Sequence, residues 1–130
     1  MRAGELDAAT AQTPGMRRLA ALSGARVGSE RIWIGETHVA PGAVSGDHHH
    51  GQSETAIYVV RGRPEFVFHD GGGEVRISTS PGDYVFVPPF VPHREENPDP
   101  AEPAVVVISR STQEAIVVNL EGLHPLRGSH

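Results

Sequence analysis

Val, Ile, Tyr and Phe gather in runs of four to nine residues, and glycine and proline separate those runs. The pattern predicts strands over residues 16–23, 31–39, 43–50, 54–61, 64–69, 74–79, 83–87, 93–96, 103–111 and 115–120. The breaks are explicit at Pro41-Gly42, Arg61-Gly62, Asp70-Gly71-Gly72-Gly73, Pro81-Gly82 and Pro98-Asp99-Pro100. Short strands punctuated in this way predict an all-β sandwich or barrel of antiparallel strands. Tyr84-Val85-Phe86-Val87 and Val105-Val106-Val107-Ile108 are apolar at consecutive positions, which implies cover on both faces. In a small all-β chain a second subunit supplies that cover, so a homodimer is expected. Only residues 6–11 carry a weak helical pattern. One domain over residues 16–120 is expected, with a flexible arm over 1–15 and a tail over 121–130.

Composition narrows the chemistry. The 130 residues include 8 His and no Cys, and all 11 basic residues are Arg. Without cysteine there is no disulfide, thiolate metal site or thiol nucleophile. Without lysine there is no Schiff base and no P-loop lysine. Any transition metal must therefore be held by imidazole and carboxylate. A net charge of −5 and a pI near 5.9 argue against nucleic acid and anionic membrane as partners. The longest apolar runs, 56–60 and 104–108, are five residues each, against the roughly 20 that a membrane-spanning helix needs. The first 15 residues hold no apolar signal core, so a cytoplasmic location is expected.

Five of the 8 His, His38, His48, His49, His50 and His93, fall in or beside predicted strands. Side chains alternate along a strand, so His48 and His50 share a face about 7 Å apart while His49 turns away. A histidine run is also an ordinary feature of solvated turns, and the residues around it have to decide.

The stretch from Gly42 to Glu54 reads G-x5-H-x-H-x3-E and leads into Arg61-Gly62. The stretch from Gly82 to Asn97 reads G-x5-P-x4-H-x3-N. In spacing and order these two blocks resemble the paired motifs of the cupin superfamily. The resemblance implies a single-domain double-stranded β-helix, a jelly-roll barrel with one metal ion inside. It also implies that His48, His50 and His93 are ligands and Glu54 the fourth. Neutral imidazole suits a divalent transition ion such as Zn, Fe, Mn or Ni, provided that each ring has a partner to fix its tautomer.

The chain departs from the pattern twice. Seven residues rather than six separate Glu54 from Gly62, so Thr55 occupies the expected register, and Phe90 stands where the family usually has Gly. A slip of one residue turns a side chain to the opposite face. The fourth ligand therefore stays open among Glu54, the first choice, Gln52, Glu95 and water. Glu95, two residues beyond His93 on the same face, is also the candidate catalytic acid or base. His38, His69 and His124 read as structural or surface residues, and Arg61 and Arg63 as solvated groups near a turn. Tyr58, Phe66, Phe68, Tyr84 and Phe86 read as core or dimer-interface aromatics. The reading is a small-molecule metalloenzyme; the alternative is a non-catalytic module that binds a metal or metabolite.

Overall fold

Alternation of inward and outward side chains builds most of the strands. In β2 (Trp33–Val39) every second residue, Trp33, Gly35, Thr37 and Val39, is buried, and β4 (Thr55–Arg61) buries Thr55, Ile57 and Val59. The protein is described by a computed structural model that covers residues 1–9, 15–69, 71–113 and 116–121. The remaining strands are β1 (Met16–Leu22), β3 (His48–His49), β5 (Glu65–His69), β6 (Glu74–Ser78), β7 (Tyr84–Val87), β8 (His93–Glu96), β9 (Ala104–Arg110) and β10 (Val118–Asn119).

The strands form two antiparallel sheets in the orders β1-β2-β9-β4-β7 and β10-β3-β8-β5-β6. Their inner faces meet in one core. Ile57, Val59, Val85, Val87 and Val106 from the first sheet pack against Phe66 and Phe68 from the second. Burying an apolar side chain of this size stabilises the fold by about 1.5–3 kcal/mol. This is the antiparallel all-β architecture that the strand pattern predicts, in the jelly-roll form that the cupin resemblance implies.

Three local features differ from the sequence expectation. Residues 43–50 do not form one strand, because Ser45 breaks the ladder. Its backbone N–H donates to Glu95 O at 2.8 Å, while its hydroxyl accepts from Glu95 N–H at 2.9 Å. Only Val44, as an isolated bridge to Glu96, and β3 are left as paired segments. Residues 6–9 are not helical: Asp7 and Ala20 exchange backbone hydrogen bonds at 2.8 and 2.9 Å, after one 3-10 turn at Ala3–Glu5. The rest of the candidate helix lies outside the described residues. A short helix, α1 (Gly24–Val27), joins β1 to β2 and stops at Gly28, whose φ of 75° glycine adopts without penalty. Among the described residues no helix is long and apolar enough to cross a membrane.

Candidate metal centre

His48 and His93 sit opposite each other across the β3–β8 pairing, and His50 follows as the chain leaves β3. The three rings converge, with centroids 4.4 Å apart for His48–His93 and 4.9 Å for each pair involving His50. Their ligand atoms all lie within 4.8 Å of one another. His49 turns away as alternation predicts, and its ring lies 5.8 Å from that of Phe90. Its Nδ1 accepts the Gly51 N–H at 2.9 Å, which leaves the proton on Nε2.

The other three histidines are wired the opposite way. His48 Nδ1 lies 2.7 Å from Gly46 O, His50 Nδ1 2.8 Å from Ile116 O, and His93 Nδ1 3.1 Å from Val91 O. A carbonyl can only accept, so each Nδ1 carries the proton and each Nε2 keeps its lone pair. The buried Nε2 of His93 has no hydrogen-bond partner. Burial, helped by the neighbouring histidines, holds His93 down to about 3. Burial likewise holds His50 down to about 4 and lowers His48. All three rings are neutral at pH 7, the state that binds metal. Phe68 stacks on His93 with centroids 5.7 Å apart and helps fix its plane. These residues fit a divalent transition ion: three neutral lone pairs converge, and each tautomer is pinned by a backbone acceptor.

Glu95 enters the same interior from β8, since β8 alternates His93 and Glu95 inward with Arg94 and Glu96 outward. Its Oε2 is buried without a hydrogen-bond partner. Burial pushes its carboxyl up to about 7, against an opposing pull from the charge of Arg18. Glu54 does not join the group. It is exposed on the outer wall in a groove with Ile32, Ile34 and Phe86, and Gln52 is exposed as well. The register shift in β4 lies further on, between Val59 and Arg61, and leaves the strict alternation before it intact, which buries Ser53 and Thr55 and turns their neighbours outward. Thr55 lines the interior in the place expected of a ligand.

The cavity beside the histidines measures about 30 Å³, and its lining includes Arg18, Arg110 and Trp33. Both arginines escaped the sequence reading. The signal was their parity: Arg18 falls in phase with buried Met16 and Ala20 in β1, and Arg110 with Ala104, Val106 and Ile108 in β9. Arg61 instead pairs with Glu102 at the surface at 2.8 Å. His38 pairs with Glu36 at 3.0 Å, His69 Nδ1 accepts the Gly71 N–H at 3.0 Å, and His124 lies outside the described residues. Phe90 takes φ of 61°, the left-handed conformation that makes glycine usual there.

The family model for the cupin domain matches residues 35–109, which include all three histidines. The chain belongs to the cupin family. No curated protein matches it. Among solved structures, the chain is similar to oxalate decarboxylase from Bacillus subtilis, at 22% identity and a TM-score of 0.72. That match covers 84% of this chain and 28% of the other, so this cupin spans less than a third of the enzyme's length. An uncharacterised double-stranded β-helix protein from Klebsiella pneumoniae subsp. pneumoniae MGH 78578 matches at 20% identity and a TM-score of 0.67, covering 87% of this chain and 91% of the other. At these identities the two likenesses concern the fold.

Proposed function

We propose that this cupin is a small-molecule metalloenzyme in which His48, His50 and His93 hold one divalent transition ion and Glu95 moves protons. The observation that carries this reading is the shared wiring of the triad: three Nδ1–H groups tied to backbone carbonyls and three inward Nε2 lone pairs. When bound, an ion of the Zn, Fe, Mn or Ni class supplies Lewis acidity or an oxygen-reactive centre. The oxalate decarboxylase of Bacillus subtilis has Mn(II) centres, and manganese belongs to this class. Glu95 is suited to its role because a carboxyl near 7 both takes and releases a proton at Oε2 close to neutral pH. Ile57, Ile108 and Ile116 wall the cavity and keep bulk water from that carboxyl. Glu54 has no part in the reaction, and water or substrate completes the ligand set.

Two copies meet, in the same reading, through the outer face of β4 and β7, where Tyr58, Tyr84 and Phe86 are exposed. The test of the enzyme reading is reconstitution of metal-stripped protein with each ion, followed by incubation with thiols, diketones, phenolics and carboxylic acids under NMR. Metal-dependent turnover is expected, with Glu95→Gln lowering the rate by about 10²–10⁴-fold. An ion that binds with no turnover in any arm would favour the non-catalytic module.

A further inference from the structure

We infer that Phe90 is a positioning residue for the histidine centre. The strained turn that it closes presents the carbonyl that orients His93, and Phe90 fastens that turn to the segment carrying His48 and His50. This deepens the metalloenzyme reading and rests on it for the presence of an ion. Among the described residues other than glycine, Phe90 alone has a positive φ, of 61°. A residue with a β-carbon is costly in this left-handed region, and a bulky one is a genuine outlier there. Such strain persists where surrounding contacts hold it, and it gathers at functional sites. Pro88-Pro89-Phe90-Val91 forms a turn in which the Val91 N–H donates to Pro88 O at 3.5 Å. Proline in second place with a positive φ in third is the pattern of a type II turn, whose third residue is ordinarily glycine. Glycine would take this conformation freely, so the phenylalanine is held there against a cost.

Its contacts run to both halves of the centre. On one side, the Phe90 N–H donates to Gly51 O at 2.8 Å, and the ring lies 5.8 Å from that of His49. His49 stands in the chain between His48 and His50, is only 6% exposed, and accepts the Gly51 N–H at its Nδ1. Gly51 in turn abuts Ile116: a β-carbon at Gly51 would meet Ile116 Cγ2 at 2.9 Å. Ile116 O is the acceptor that orients His50. On the other side, the next residue, Val91, places its carbonyl 3.1 Å from His93 Nδ1, and Pro92 O accepts the His69 N–H at 3.2 Å. Phe90 thus ties the turn after His50 to the turn before His93, and the shape of its own turn sets the direction of the Val91 carbonyl.

Two readouts on Phe90→Gly test this role. The first is the His93 tautomer in metal-free protein, read from the NMR shifts of its ring nitrogens. Wild type is expected to hold the proton on Nδ1, and Phe90→Gly to show a mixture of tautomers. The second is Co(II) titration followed by visible absorption. Phe90→Gly is expected to bind about tenfold more weakly, at the lower end of the roughly 10–100-fold that loss of an orienting partner costs, with altered band intensity. Phe90→Tyr, which keeps the ring, is expected to match wild type in both. A merely structural residue would lower the melting temperature on substitution and leave the tautomer and the spectrum as they are. That result, or a Phe90→Tyr protein that behaves as Phe90→Gly does, would overturn the inference. If near-UV circular dichroism shows that Phe90→Gly has lost its fold, Phe90→Leu, which loses the ring, decides on the same two readouts. A tautomer that depends on Phe90 in a protein that takes no metal would sink the metalloenzyme reading and leave this one standing. Co(II) binding with a tautomer and an affinity indifferent to Phe90 would do the reverse.

Discussion

The two sides of the wall formed by β4 and its neighbours invert the usual distribution of residue types. On the inner side, behind Thr55 and Ile57, lie three histidines, Glu95, Arg18 and Arg110. On the outer side, the same strand presents Tyr58 beside Tyr84, their rings 4.8 Å apart, with Tyr84 79% exposed and Phe86 55% exposed. A buried polar cluster and an exposed apolar patch are the two informative departures from ordinary burial. They differ in how they are held. Inside, the Nδ1 atoms of the triad and the Arg110 guanidinium have specific backbone partners, and among the described residues the fully buried side-chain atoms without one are His93 Nε2 and Glu95 Oε2. Outside, Tyr58 and Tyr84 rest on one another and Phe86 is exposed on the same face. In the proposed reading the inner reversal serves chemistry and the outer one association.

The largest effect that can break this contrast is acid. His93 has a folded value near 3, below the ordinary 6.5, so the unfolded chain takes up its proton first as the pH falls below 6.5. The metal-free fold therefore loses roughly 3 kcal/mol from His93 alone between pH 7 and pH 4, and the loss is complete only below about pH 3. Glu95 works in the opposite sense: its raised value means that the folded state gains its proton first, which stabilises the fold as pH falls through 7. The comparison that isolates the histidine is wild type against His93→Leu in urea melts at both pH values. Wild type should lose that amount relative to the variant on acidification. Parallel pH dependence of the two proteins would mean that His93 is not a strained neutral imidazole.

A smaller effect sharpens the outer half of the contrast. Phe86→Glu should convert a dimer into a monomer by light scattering, while changing monomer stability by no more than about 0.5 kcal/mol, as expected of an exposed position. A wild-type protein that runs as a monomer at high concentration would remove the reason for the exposed aromatics.

Much of this arrangement was legible in the residues themselves. Most strand positions followed from the apolar runs and from breaks such as Pro81-Gly82, and the His48/His50 pair followed from alternation. Glu54 lies apart from the triad because motif spacing identifies a position along the chain and not the face on which it falls. One residue of offset gave the inner site to Thr55. The tautomers were not legible, since the acceptors on Val91, Ile116 and Gly46 are backbone atoms brought into place by folding. The arginines were legible in principle. Arg110 sits in phase with the inward residues of β9, but a charged side chain at an inward position reads from sequence as a strand end.

The most direct test of the central claim is the stoichiometry and affinity of metal binding, read by titrating untagged, metal-stripped protein with Co(II) and following its visible absorption. One ion per chain is predicted, with affinity lowered at least 100-fold in His93→Ala and unchanged in Glu54→Ala. Binding that survives loss of His93, or that depends on Glu54, would contradict a site built on the three inward Nε2 atoms.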